Sequence, residues 1–116
     1  HPSKLADEPY VVEKGLRLRG LMEPTVIFEG PAEEAVKAFP RTLNVAAVLS
    51  LYAGRQAQVK VVADPAATRN VHEVTVKSKA GSLRVLVENV PHPENPKTSY
   101  LAALSAITLL RELCAR

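Results

Sequence analysis

His72 is the residue around which the candidate chemistry of this sequence is arranged, because an imidazole changes its protonation state near neutral pH. It lies in Val71–Ser78, a β-branched run that follows a proline-containing turn and is typical of a strand. Alternate residues of a strand point to opposite faces, so His72 shares a face with Val74 and Val76, which we expect to face the core. A histidine on that face is either a hydrogen-bonded core residue or a proton-transfer group, and alternation alone favours the core residue.

Five polar residues at the predicted ends of elements are the other candidates. Asn44 begins an apolar helix and Asn70 precedes the strand of His72; their ordinary roles are helix capping and turn formation. Lys97, Thr98 and Ser99 gather at the start of the last helix. Unpaired backbone N–H groups and the positive end of the helix dipole favour a carboxylate or phosphate there. The ordinary roles of these three are capping and a solvated lysine.

Several kinds of site are not indicated. His1, His72 and His92 have no metal-ligand spacing, and the single cysteine, Cys114, adds no cluster, so no metal site is predicted. His92 lies between two prolines and is interpreted as an exposed loop residue rather than a ligand. The five glycines are isolated, which excludes a glycine-rich phosphate loop. This chain alone therefore carries no complete catalytic apparatus.

Composition predicts one ordinary globular domain of 116 residues, with 47% apolar and 23% charged residues. The net charge of +3 comes from scattered basic residues and there is no tryptophan, which argues against nucleic-acid binding. No run of about 18 apolar residues predicts a membrane span. The polar N-terminus shows no signal peptide, and one unpaired cysteine fits a reducing compartment, so we expect a cytoplasmic protein.

Apolar periodicity and turn residues predict an α+β domain with an antiparallel or mixed β-sheet and helices on one face. Residues 1–9 are loop-like, and Tyr10 to Leu21 holds a short helix or strand. The predicted elements are a strand at Thr25–Phe28, a helix at Ala32–Ala38, a buried helix from Asn44 to Gly54, strands at Gln58–Ala63, Val71–Ser78 and Ser82–Asn89, and a helix from about Ser99 to Ala115. The last two strands form a hairpin through Lys79–Gly81.

The second face of this hairpin carries mostly charged and polar residues, namely Glu73, Thr75, Lys77, Arg84 and Glu88. Val71 and Leu86 lie among them. Two apolar residues within a charged face favour contact with a partner sheet over simple exposure to solvent.

Three stretches of the sequence resemble the C-terminal domain of the aspartate dehydrogenase family. They are Phe39–Leu51 (FPRTLNVAAVLSL), Val61–Val74 (VVADPAATRNVHEV) and Val87–Ile107 (VENVPHPENPKTSYLAALSAI), and Gly30–Pro40 fits as well. The resemblance implies a fold like the second domain of glyceraldehyde-3-phosphate dehydrogenase-like enzymes. It also implies that residues 1–22 are a connector from a missing N-terminal nucleotide-binding domain, and that residues 23–116 are the C-terminal catalytic and dimerisation domain.

The resemblance further implies an oxidoreductase acting on a CH–NH2 group, which uses NAD or NADP to oxidise L-aspartate to iminoaspartate. The product either feeds NAD biosynthesis or hydrolyses to oxaloacetate and ammonia. His72 matches the family's active-site histidine and Asn44 its cofactor-contacting asparagine. Lys97, Thr98, Ser99 and Asn70 are weaker candidates for binding the substrate. Most cofactor affinity would belong to the missing domain, so we expect the isolated chain to lack activity, and we expect a homodimer formed through the sheet.

Two alternatives from other classes remain open. The chain could be a non-catalytic oligomerisation domain that retains the fold, in which case His72 would be sealed in the core with its nitrogens satisfied. A weaker alternative is a binder of nucleic acid or of an acidic partner, against which the scattered basic residues argue.

Overall fold

A computed structural model describes residues 1–53, 57–96 and 98–115 of the chain. The architecture is α+β with antiparallel strands, as predicted. In chain order the elements are α1 (Pro2–Leu5), α2 (Pro9–Glu13), β1 (Thr25–Pro31), α3 (Ala32–Ala38), α4 (Asn44–Ala53), β2 (Gln58–Ala63), β3 (Asn70–Ser78), β4 (Gly81–Asn89) and α5 (Tyr100–Cys114). They divide into two compact units, residues 1–66 and residues 67–116.

The strands form two antiparallel pairs, β1 with β2 and β3 with β4, where one sheet was expected. β2 has its predicted bounds, whereas β3 and β4 each begin one residue earlier than predicted. β1 is three residues longer than predicted, because Gly30 and Pro31 stay in register with Val59 and Gln58. Pro31 is both the last residue of β1 and the residue that precedes α3. A proline is tolerated at the end of a strand and at the start of a helix because a backbone N–H group is not required there.

A β-bulge in β1 places two consecutive side chains, Ile27 and Phe28, against the core of the first unit. Val26 is paired with Val62 but Phe28 with Val61, so Ile27 is the extra residue. Ile27 and Phe28 both pack against the core, which strict alternation would forbid. The rings of Tyr10, Phe28 and Phe39 meet there with centroids 5.4–5.7 Å apart, and Phe39 is completely buried.

The N-terminal segment belongs to this core. Its side chains Leu5, Val11 and Leu18 are buried together with Phe39 and Val61. The prediction of a loop is wrong for Pro2–Leu5, because proline in the first turn of a helix is already fixed in a helical conformation. The same holds at α2, which begins with Pro9. The role of residues 1–22 as a connector stays a prediction.

The β3–β4 hairpin confirms the predicted faces. His72 lies opposite Val87, Val74 opposite Val85 and Val76 opposite Leu83, while the neighbouring pair Glu73 and Leu86 points the other way. The expected burial of the His72 face is wrong for the described residues, since none between 67 and 115 is fully buried. α5 likewise contains no buried residue.

The prediction that α4 is buried is also wrong. Leu51 and Tyr52 are 82% and 87% exposed, and Asn44 is exposed at the first helical position. An apolar helix indicates burial somewhere, but nothing within the described residues covers these two side chains. The predicted terminator of α4, Gly54, lies outside the described residues. Among those residues, no helix has both the length and the apolar character needed to cross a membrane.

Candidate functional site

His72 is accessible in the described structure. It is half-buried on β3, and neither ring nitrogen has a hydrogen-bond partner within residues 1–53, 57–96 and 98–115. Glu8 Oε2 is the one side-chain nitrogen or oxygen atom in those ranges that is both buried and unpartnered. The described residues thus leave both His72 nitrogens without a hydrogen-bond partner on a half-buried ring. This is the state of an imidazole available for proton transfer, whereas a core histidine would have its nitrogens satisfied.

The fold brings Asn70 and the start of α5 to the same end of the hairpin as His72. Asn70 is the first residue of β3 and pairs with Asn89, two positions along the strand from His72 and thus roughly 7 Å away. The next residue after Asn89, Val90, accepts a hydrogen bond from the backbone N–H of Tyr100 at 2.8 Å. The backbone therefore ties the first residue of α5 to the end of β4. Asn70 is a strand residue, so its predicted ordinary role in a turn is wrong.

Thr98 and Ser99 lie just before α5. Ser99 is the N-cap residue of α5, as predicted for Thr98 or Ser99. Its side chain, however, makes no capping hydrogen bond. Thr98 is exposed, and its backbone N–H donates to the Asn95 carbonyl at 3.0 Å. Polar side chains next to a helix start can bind a carboxylate together with the helix N–H groups. The third predicted residue of this group, Lys97, lies outside the described residues.

Asn44 belongs to the first unit and begins α4. Together with Val45, Val48 and Leu49 it lines an open depression of about 290 Å³ along one face of the helix. The wall of this depression is entirely apolar, so the polar atoms of the Asn44 side chain do not line it.

An ion pair in each unit shifts side-chain pKa values. Arg84 Nη2 donates a hydrogen bond to Glu73 Oε2 at 2.9 Å on the face of the hairpin opposite to His72, and this bond raises the pKa of Arg84. In the first unit, a hydrogen bond from Lys37 lowers the pKa of Glu33. No group of three or more His, Cys, Asp or Glu residues within the described ranges is placed to hold a metal ion.

Sequence reasoning missed two residues. Glu8 is 1% exposed and accepts a hydrogen bond from the Thr42 hydroxyl, a partner 34 positions away that no local pattern indicates. His92 is half-buried, not exposed as predicted, and its ring Nδ1 accepts hydrogen bonds from two backbone N–H groups. The two flanking prolines could have signalled its role, because a proline-rich loop lacks the N–H groups that normally organise a turn.

Comparisons with known proteins extend over almost the whole chain. The family model described as "Aspartate dehydrogenase, C-terminal" matches residues 1–113. L-Aspartate dehydrogenase of Methanosarcina acetivorans is 56% identical over 115 residues, and that of Methanosarcina mazei is 54% identical over 115. The protein of that name in Methanococcoides burtonii is 52% identical over 116 residues.

In each of these three comparisons the match covers 97% of this chain but 42% of the relative. The chain thus spans less than half the length of the curated relatives that it matches. The range of the family match includes His72, Asn44 and the start of α5. The chain belongs to the aspartate dehydrogenase family and corresponds to its C-terminal part.

Proposed function

We propose that this chain is the substrate-binding part of an L-aspartate dehydrogenase, which oxidises L-aspartate to iminoaspartate with NAD or NADP. The observation that carries the proposal is His72, a half-buried imidazole whose nitrogens have no hydrogen-bond partner among the described residues, at the hairpin end to which the start of α5 is tied. The names and identities of the relatives support the substrate. Iminoaspartate then enters NAD biosynthesis, or adds water and releases ammonia to give oxaloacetate.

In this proposal His72 is the general acid–base. It accepts a proton from the substrate ammonium group, which frees the nitrogen lone pair to form the C=N bond as the Cα hydrogen leaves with its electron pair. A bound nicotinamide cofactor supplies the acceptor for that hydride. In the alternative assignment His72 activates the water that attacks the imine carbon. Either role is worth about 10²–10⁴-fold in rate.

The start of α5 binds and orients the substrate carboxylates in this proposal. Thr98 and Ser99 supply hydroxyl donors, Lys97 supplies a positive charge, and Asn70 supplies an amide at the same hairpin end. A carboxylate at a helix N-terminus is further stabilised by the helix dipole. The carboxylates do not change during the reaction, so these contacts supply affinity for L-aspartate that is equal in the ground state and the transition state.

Asn44 contacts the cofactor in this proposal. Asn44 is exposed at the start of α4, next to the open apolar depression that it forms with Val45, Val48 and Leu49, and an apolar surface of this kind can contact the ring of a nicotinamide. The larger part of the dinucleotide would be bound by an N-terminal nucleotide-binding domain. Residues 1–22 connect to that domain, and residues 23–116 form the catalytic and dimerisation domain, which by itself would be inactive.

The protein also forms a homodimer through the β3–β4 hairpin in this proposal. The supporting observation is the face that carries Val71 and Leu86, which are 51% and 54% exposed beside the Glu73–Arg84 ion pair. Apolar side chains with a polar rim are the usual composition of a protein–protein interface.

Substitution of His72 in the full-length enzyme tests the function. We expect His72→Ala to lower kcat by about 10²–10⁴-fold while the Kd for NAD changes little, because the histidine acts on the substrate. His72→Asn serves as the matched control, since it keeps a polar side chain but cannot carry the proton. Should either variant retain wild-type kcat, the assigned role of His72 is wrong.

The second candidate is a non-catalytic oligomerisation domain. The observation in its favour is the extent of exposed apolar surface on α5, where Leu101, Leu109 and Leu110 are each 57–60% exposed. The two candidates differ in one measurement: the full-length protein either reduces NAD in the presence of L-aspartate or only associates with itself.

A further inference from the structure

The loop between β4 and α5 is held by its own hydrogen bonds, even though it contains three prolines. Pro91, Pro93 and Pro96 have no N–H group to donate. Of the N–H groups that remain in residues 92–96 and 98, His92 donates to the Thr98 carbonyl at 2.9 Å, and Thr98 donates to the Asn95 carbonyl at 3.0 Å. The remaining two, those of Glu94 and Asn95, are both directed at one side chain.

That side chain is His92. Its ring Nδ1 accepts from the Glu94 N–H at 3.1 Å and from the Asn95 N–H at 3.3 Å. Asn95 in turn accepts from Thr98, and Thr98 accepts from His92, so the bonds form a closed ring from His92 to Thr98. A side-chain acceptor that binds the N–H two residues ahead is the geometry of an Asx-turn, here formed by an imidazole.

Two backbone donors at one nitrogen fix the chemical state of the ring. An N–H group can donate only to a nitrogen with a lone pair, so Nδ1 carries no proton and the neutral ring carries its proton on Nε2. The same ring lies edge-to-face against Tyr100, with centroids 5.3 Å apart and an interplanar angle of 81°. Tyr100 is the first residue of α5, and its N–H is bonded to Val90. His92 therefore fixes both ends of the segment that contains Thr98 and Ser99.

We propose that His92 is a positioning residue, whose Nδ1 closes the loop before α5 and thereby holds Thr98 and Ser99 in place for the substrate carboxylate. The inference rests on the proposed function for its substrate, whereas the closure of the loop rests on the hydrogen bonds alone. His92 does not touch the reacting atoms in this scheme. Its loss should weaken binding of L-aspartate and leave the chemical step almost unchanged.

Three substitutions in the full-length enzyme test the role of Nδ1. His92→Ala removes the acceptor. His92→Asn restores an acceptor oxygen close to the backbone, where Nδ1 stands, because asparagine forms Asx-turns of this kind. His92→Gln also offers a carbonyl oxygen, but one carbon farther from the backbone, and serves as the matched control.

The readouts are amide hydrogen exchange at Asn95 and Thr98, the KM for L-aspartate and kcat. For His92→Ala and His92→Gln we expect both amides to exchange about tenfold faster and KM to rise about tenfold, as the loss of one or two hydrogen bonds produces. Exchange in β3 and β4 should stay at the wild-type rate, which shows that the fold is intact. His92→Asn should return exchange and KM to near the wild-type values, with kcat within about twofold in all three variants.

Unchanged amide exchange in His92→Ala would overturn the proposal, as would faster exchange with an unchanged KM. Equal rescue by asparagine and glutamine would show that Nδ1 is not the atom that acts. The proposed function is tested separately by His72→Ala. If that variant keeps its kcat while the His92 series behaves as expected, the catalytic assignment fails and the loop assignment stands.

Discussion

The Thr42 hydroxyl donates a hydrogen bond to Oε1 of Glu8, and this bond joins the N-terminal segment to the turn that precedes α4. Glu8 is 1% exposed, and its other oxygen, Oε2, has no partner in the described residues. A buried carboxylate is costly unless it is hydrogen-bonded, so the single bond from Thr42 matters for the first unit. The same turn is closed by the Phe39 carbonyl, which accepts from the N–H groups of Thr42 and Leu43.

Replacing Thr42 by valine should destabilise the first unit by about 1–3 kcal/mol, because it leaves a buried carboxylate without its hydroxyl donor. Thermal unfolding of the full-length protein measures the loss. Amide exchange at Val11 and Val12 shows whether the destabilisation is centred on Glu8, because the N–H groups of both residues donate to the Glu8 backbone carbonyl. Thr42→Ser keeps the hydroxyl and is the control. A valine variant as stable as the serine variant would show that the bond contributes nothing.

The Lys37–Glu33 pair predicts a pH dependence in α3. Lys37 Nζ donates to Glu33 Oε1 at 2.9 Å, which lowers the pKa of the glutamate and raises that of the lysine. The ion pair therefore stabilises the folded protein at pH values between the titration of Glu33 and that of Lys37. It is lost as the pH falls through the folded-state pKa of Glu33, and again as the pH rises through that of Lys37.

The check is an NMR titration of the Glu33 carboxyl carbon in the Lys37→Met variant, where the pKa should move up toward its ordinary value. A Glu33 titration that is identical with and without the lysine would contradict the assignment. Both side chains of the pair are mostly exposed, so we expect only a small change in stability.

Local patterns predicted the elements of this fold well and its packing poorly. β2 was predicted residue for residue and the hairpin faces correctly, because alternation and turn residues act within a few positions. The bulge at Ile27 was not predictable, since it depends on the register with Val61 and Val62 more than 30 positions away. The expectation that Leu51 in α4 is buried was wrong for a similar reason. The hydrophobic pattern of a helix shows which side chains favour burial, but not which other residues pack against them.

In the candidate site, too, local patterns indicated individual residues but not the contacts between distant segments. The roles of His72 and Asn44 were assigned from a family resemblance, which adds information that strand alternation does not contain. The connection between Asn70 and the start of α5 needs the backbone bond from Tyr100 to Val90, which joins residues ten positions apart through an irregular loop. Glu8 lies in the stretch 1–9 that was predicted to be loop-like, and its partner Thr42 lies in a different segment of the chain, so no local pattern indicated their contact.

Asn44 gives a prediction that separates cofactor contact from helix capping. In the full-length enzyme, Asn44→Ala and Asn44→Ser should both raise the Kd for NAD about tenfold, as loss of a carboxamide contact would. Serine starts a helix as well as asparagine does, so the serine variant keeps any capping function. Isothermal titration with NAD measures the effect. Wild-type affinity in Asn44→Ser would contradict the proposed cofactor contact.

Two exposed leucines of the hairpin test which of its faces forms the proposed homodimer. Leu86 lies on the face of Val71 and Glu73, whereas Leu83 lies on the face of His72; the two leucines are 54% and 59% exposed. Leu86→Lys should raise the dimer dissociation constant by more than about tenfold, because it places an unpaired charge in a desolvated interface. Leu83→Lys introduces the same charge at similar exposure on the other face and should leave the dimer intact. Sedimentation velocity of the full-length protein over a concentration series distinguishes the two. Dissociation caused by Leu83→Lys alone would place the interface on the His72 face, where it would compete with the substrate site proposed above.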